Sequence, residues 1–117
     1  MKKIIGLLCV ISMSFFLVGC GQKISSQFPL PEKVENFTEQ SEGDAINFQT
    51  NMSSAKLLDF YRQAFSGQGL TERTLLTVQN GGTVSVVFDG NTKGALVVQM
   101  VELPTGMTNV NIRFESI

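Results

Sequence analysis

The sequence predicts a small α+β domain in which one helix packs on an antiparallel sheet, in the order β-α-β-β-β-β. Three observations predict it. A single stretch, Ala55 to Ser66, carries apolar residues at helical spacing. Five others alternate in polarity or are rich in β-branched residues. The last four of these are joined by turns too short for parallel crossovers, which makes them antiparallel neighbours.

The first expected strand runs from Asp44 to Thr50, with Ile46 and Phe48 on one side and Ala45, Asn47 and Gln49 on the other. Asn51 and Ser53 then supply side-chain oxygens for a helix N-cap. In the helix, Leu57, Phe60, Tyr61, Ala64 and Phe65 share one stripe, and Lys56, Asp59, Arg62 and Gln63 take the opposite side. Gly67 suits a left-handed C-cap, and Gly69 permits a second bend.

A meander follows. Leu70 to Gln79 is rich in Thr, Leu and Val and is expected as one strand. Asn80-Gly81-Gly82 signals a hairpin turn. Thr83 to Asp89 sets Val84, Val86 and Phe88 against Thr83, Ser85 and Val87. After the turn at Asp89-Gly90-Asn91, Gly94 to Leu103 sets Leu96, Val98 and Met100 against Val97, Gln99 and Val101. Pro104 and Gly106 break that run, and Thr108 to Glu115 alternates Val110, Ile112 and Phe114 with Asn109, Asn111 and Arg113. One helix covers one face of such a sheet, so the other face is expected to be more polar.

The expected domain spans residues 44–117. Residues 20–43 read as a tether and an irregular lead-in. Within it, Phe28-Pro29-Leu30-Pro31 favours an extended path, and Val34 and Phe37 are placed to pack onto the domain.

The N-terminus has the order of an export signal. Lys2 and Lys3 precede an uncharged apolar run from Ile4 to Val18, shorter than the roughly 20 residues a spanning helix needs. The run ends in Leu17-Val18-Gly19-Cys20, which resembles the bacterial lipobox. The resemblance covers residues 1–20. It implies cleavage of residues 1–19 between Gly19 and Cys20, diacylglycerol on the Cys20 sulfur, and an acyl chain such as palmitate on the new amino group. Two or three chains anchor stably where one holds marginally. Gly21 stands where an Asp would resemble an inner-membrane retention signal. The resemblance therefore implies the outer membrane, facing the periplasm, or the outer face of the cytoplasmic membrane where a cell has no outer one. The domain itself resembles small exported bacterial domains, a likeness that carries no site residues.

Processing at Cys20 would leave seven basic and ten acidic side chains, a net charge near −3. That balance argues against a nucleic-acid groove or a polybasic lipid patch. Cys9 would leave with the signal and Cys20 would be consumed, so the domain would hold no thiol. The chain has no histidine, which removes Ser–His triads and the commonest metal ligand. No catalytic residue, metal site or cofactor is assigned.

Carboxylate chemistry is the enzymatic route that survives, with Asp44, Asp59, Glu72, Asp89, Glu102 and Glu115 as candidates. Each reads as a surface charge. Asp89-Gly90-Asn91 lacks the further acids of a calcium loop and reads as a turn. Tyr61 lies on the apolar helix stripe and Arg62 beside it reads as an exposed charge. The expected outward positions Thr71, Arg73, Thr77, Ser85, Gln99, Asn109, Asn111 and Arg113 are polar but sparsely charged. These features suit a lipid-anchored binding or accessory module for another envelope protein. The alternatives are a module that binds a cell-wall glycan or lipid, or an inhibitor module, and, remotely, a carboxylate-dependent hydrolase.

Overall fold

A computed structural model describes residues 26–116. Gly19 and Cys20, on which the anchor expectation rests, lie outside the described residues. Among the described residues the fold is α+β: one α-helix on one face of a seven-stranded antiparallel sheet.

The strands are β1 (Glu35–Gln40), β2 (Ala45–Thr50), β3 (Thr71–Glu72), β4 (Val78–Asn80), β5 (Thr83–Asp89), β6 (Ala95–Glu102) and β7 (Thr108–Glu115). Helix α1 (Ser54–Gly67) lies between β2 and β3 in sequence. Across the sheet the order is β1-β2-β7-β6-β5, and β3 and β4 both pair with β5 at the far edge. The last strand therefore sits beside β2, with Phe48 opposite Val110 and Asn47 opposite Asn111.

Alternation sets the core. Ile46, Phe48, Val84, Val86, Phe88, Leu96, Val98, Met100, Val110 and Ile112 all point to the helix side and are buried. Leu57, Leu58, Tyr61 and Phe65 of α1 close over them. Ser53 caps the helix, its Oγ accepting from the Lys56 amide at 3.3 Å. At the other end the expected cap shifts: Gly67 stays helical, the Leu70 amide donates back to the Phe65 carbonyl, and Gly69 takes the left-handed conformation (φ 88°) that reverses the chain.

Two segments depart from expectation. The lead-in is ordered well before Asp44. Phe28 is 5% exposed and belongs to the core, its ring 5.6 Å from that of Phe114. Leu30, Val34 and Phe37 also pack on the core, and residues 35–40 form edge strand β1. The physical reason is a bulge. Glu35 pairs with Gln49 and Thr38 with Asn47, so Asn36 and Phe37 together oppose Phe48. Asn36 takes φ 54°, a left-handed conformation Asn tolerates, and the extra residue breaks the two-residue alternation.

The run from Leu70 to Gln79 is two short strands around a 3-10 turn at Thr74–Leu76, not one strand. Side-chain pairing pulls the turn out of the ladder. Arg73 makes two bonds to the Asp89 carboxylate, at 2.7 and 2.8 Å, while the Thr77 hydroxyl folds back onto Glu72.

Candidate functional site

The face of the sheet opposite α1 carries the most distinctive arrangement of polar groups. Register places Asn47 and Gln49 of β2, Asn109, Asn111 and Arg113 of β7, Gln99 of β6 and Ser85 of β5 on this face. The centre is an amide cluster. Asn47 and Asn109 bond reciprocally, side chain to side chain, at 3.1 and 3.0 Å. Asn111 donates to Asn47 Oδ1 at 3.3 Å. Arg113 Nη1 donates to Asn111 Oδ1 and Gln99 Oε1 at 2.8 and 2.9 Å, and its Nε donates to Glu115.

These bonds fix the amide orientations before any partner arrives, and each amide retains hydrogen-bonding capacity beyond the contacts it makes. A shallow cleft of about 290 Å³, lined by Thr38, Gln40, Ala45, Ile46, Asn47 and Asn111, opens beside the β1 bulge. Toward β5 the face becomes apolar. Val87, Ala95 and Val97 form a small buried cluster there, with Arg113 beside Val97 in register. At the β4 edge, Leu75, Leu76 and Val78 are exposed, Leu75 at 95%.

The structure brings Ser85, Gln99, Asn109, Asn111 and Arg113 to one face. Thr71 pairs with Asp89 at the rim, whereas Arg73 is held by Asp89 and Thr77 turns to Glu72. Two participants were not singled out from the sequence. Asn47 was readable by alternation in its strand. The Leu75-Leu76 doublet was readable as a break in alternation.

The candidate carboxylates disperse into separate structural roles. Glu72 is held by Arg62 at 2.8 and 3.0 Å and also accepts from Thr77. Its pKa lies below the ordinary carboxylate value, chiefly through the hydrogen bond from Arg62. Arg62, read as an exposed charge, is partly exposed and pairs with Glu72. Asp89 is lowered by Arg73, and Asp44 by Lys93 at 2.7 Å and Gln27 at 3.0 Å. Glu102 accepts from the backbone amide and hydroxyl of Ser54, both at 2.9 Å, and these bonds lower its pKa. Its carboxylate fills the N-terminus of α1 that would otherwise attract an anion. Gly82 permits this approach, since a Cβ there would stand 2.8 Å from Glu102 Cβ.

Asp59 projects from the exposed side of α1. In the turn after Asp89, Asn91 Oδ1 accepts from the Lys93 amide at 2.8 Å, a local turn bond. Tyr61 is fully buried, its hydroxyl donating to the Pro29 carbonyl at 2.9 Å, and burial pushes its pKa up. It holds the lead-in to the core. Among the described residues no group of three His, Cys, Asp or Glu side chains is placed to hold a metal ion. A groove of about 460 Å³ between α1 and β3 contains Arg62 and Glu72, which satisfy each other.

The chain matches no protein-family model, no curated protein and no solved structure.

Proposed function

We propose that this chain is a lipid-anchored protein of a bacterial envelope that docks a partner protein on the amide-bearing face of its sheet. The observation that carries the docking reading is the pre-ordered cluster of Asn47, Asn109, Asn111, Gln99 and Arg113 on a sheet face that no second layer covers among the described residues. The anchor reading is supported by the order of Lys2-Lys3, the apolar run and Leu17-Val18-Gly19-Cys20. Gly21 supports delivery to an outer membrane, facing the periplasm, where one exists.

The same face favours a protein over a glycan. Sugar rings are commonly held against aromatic side chains. Here every described aromatic residue belongs to or packs on the core: Phe28, Phe37, Phe48, Phe60, Tyr61, Phe65, Phe88 and Phe114. What this face offers instead is a row of amides and one guanidinium, whose donors and acceptors match those of a protein backbone and its polar side chains.

Two measurements in the native host test this reading. Labelled palmitate is expected in the wild-type chain and absent from Cys20→Ala. A photo-crosslinking residue at Asn111 is expected to capture a discrete protein, and one at Lys56 on the exposed side of α1 is not. Equal capture from both positions, or from neither, would sink the docking reading.

A further inference from the structure

We infer that the Leu75-Leu76 turn is a membrane-contacting wedge, seated in the apolar boundary of the same bilayer that holds the lipid anchor. The inference rests on the anchor reading of Cys20.

The turn itself is built to project. Thr74–Leu76 leaves the β5 ladder as a 3-10 turn closed by the Leu76 amide to the Arg73 carbonyl at 2.9 Å and the Thr77 amide to the Thr74 carbonyl at 3.2 Å. Leu75 at its apex is 95% exposed, and Leu76 and Val78 beside it are 41% and 52% exposed. Leu75 thus leaves in water apolar surface that burial would stabilise. The turn's flanking charges are already neutralised within the domain, Glu72 by Arg62 and Arg73 by Asp89. The wedge therefore carries apolar surface to the bilayer without dragging an unpaired charge to it.

Tether length and charge determine which side meets the lipid. Gln27 is bonded to the Gly43 carbonyl at 2.7 Å and to Asp44, and Phe28 is buried, so the chain is fixed to the domain from Gln27 onward. From Cys20 to Gln27 the fully extended chain spans about 25 Å. Four strand spacings separate β2, where the tether arrives, from β3 and β4, a width of about 19 Å. The tether is long enough to let the β4 edge lie against the bilayer and too short to let the domain escape it.

The opposite edge is acidic. Glu35 and Glu39 lie on β1, with Glu32 and Glu42 at its ends, and among these only Glu35 has a cationic partner among the described residues. An anionic lipid surface repels that edge and so orients the apolar edge inward. Confinement by the anchor supplies a high effective concentration of lipid, so a contact too weak to recruit a free domain suffices to orient a tethered one.

The test uses the full lipidated chain in phosphatidylethanolamine–phosphatidylglycerol vesicles. Consumption of the Cys20 thiol leaves a single reactive site in a Thr74→Cys or Glu39→Cys variant, and both positions are exposed. Each carries an environment-sensitive fluorophore, and brominated acyl chains serve as the quencher. Quenching at position 74 is expected to exceed that at position 39 by about threefold or more, because apolar surface at an interface sits roughly 5–10 Å deep. Adding Leu75→Ser and Leu76→Ser to the Thr74→Cys chain is expected to abolish the difference.

Vesicle-bound protein with equal quenching at the two positions would overturn the wedge and leave the anchor standing. Protein that stays off the vesicles with a free Cys20 thiol would overturn the anchor, and the wedge with it. Labelling of position 74 by a water-soluble maleimide in vesicles but not in native membranes would assign the turn to a protein partner and overturn the lipid assignment.

Discussion

Replacing Phe28 by Ala tests whether the segment before β1 is part of the folded unit. Phe28 is 5% exposed, and its ring meets Phe114 at 5.6 Å. The Tyr61 hydroxyl fixes the next residue through the Pro29 carbonyl at 2.9 Å. Truncating a buried Phe costs about 3–5 kcal/mol. The site lies where the chain joins the domain and can partly collapse, so the lower end, about 3 kcal/mol, is expected. A domain of this size has roughly 5–14 kcal/mol in total. With a urea slope of about 1–1.5 kcal/mol/M, the midpoint should fall by about 2–3 M. The melting temperature should fall by about 12–24 °C. The assay is urea unfolding of a chain beginning at Gly21, followed by circular dichroism, with Tyr61→Phe measured alone and in combination. Tyr61→Phe alone should cost about 1 kcal/mol. The double variant should lose less than the two single losses together, because both act on one segment. A midpoint shift under about 0.5 M for Phe28→Ala would refute the reasoning and return the start of the fold to β2.

Three further outcomes follow from single features. Thr50 is fully buried and its hydroxyl has no partner among the described residues, so Thr50→Val is expected to leave stability unchanged or raise it by about 1 kcal/mol in the same urea assay. Gly94 has φ 129°, and a Cβ there would stand 2.9 Å from the Glu115 carbonyl oxygen; Gly94→Ala should cost about 1–3 kcal/mol, seen as a lower melting temperature. Glu72, Asp89, Glu102 and Asp44 all have lowered pKa values when folded, so between those values and the ordinary one the unfolded chain binds more protons than the folded one. Their contribution is complete above about pH 5 and is lost as pH falls through the folded values, while the lack of histidine predicts stability nearly flat from about pH 6 to 8, checked by thermal melts across pH.

Strict periodicity made most of the fold legible. Helix α1 and strands β2, β5, β6 and β7 each keep one period from end to end, and each falls within a residue or so of its expected bounds. Strand β1 was hidden because Phe37 within it and Val34 just before it, the two residues that pack on the core, are three apart. A bulge accounts for that spacing, but a bulge is defined only by the partner strand. The division of Leu70 to Gln79 was hidden for a related reason: the bonds that bend it reach to Arg62 and Asp89, outside the segment. The candidate site was half legible. Alternation gave Asn109, Asn111 and Arg113 a common face. Their union with Asn47, 62 residues from Asn109, depends on β7 lying beside β2, and no local pattern states which strands are neighbours.

The placement of Phe28 links stability to reach. Were the domain to begin at Asp44, the tether from Cys20 could extend about 80 Å and the domain would sample its surroundings in any orientation. With Gln27 bonded to Asp44 and Phe28 in the core, that span falls to about 25 Å. If Cys20 carries the proposed lipid, the packing that completes the core also determines how close the sheet is held to that anchor. Under that proposal, a protein that docks on Asn47 and Asn111 must itself stand close to the bilayer, within the reach of so short a leash. This confinement relaxes the demand on the amide face. A partner held in the same membrane meets it at high effective concentration, so a modest, mostly neutral interface suffices. Loosening Phe28 should therefore weaken partner capture even in molecules whose sheet remains folded.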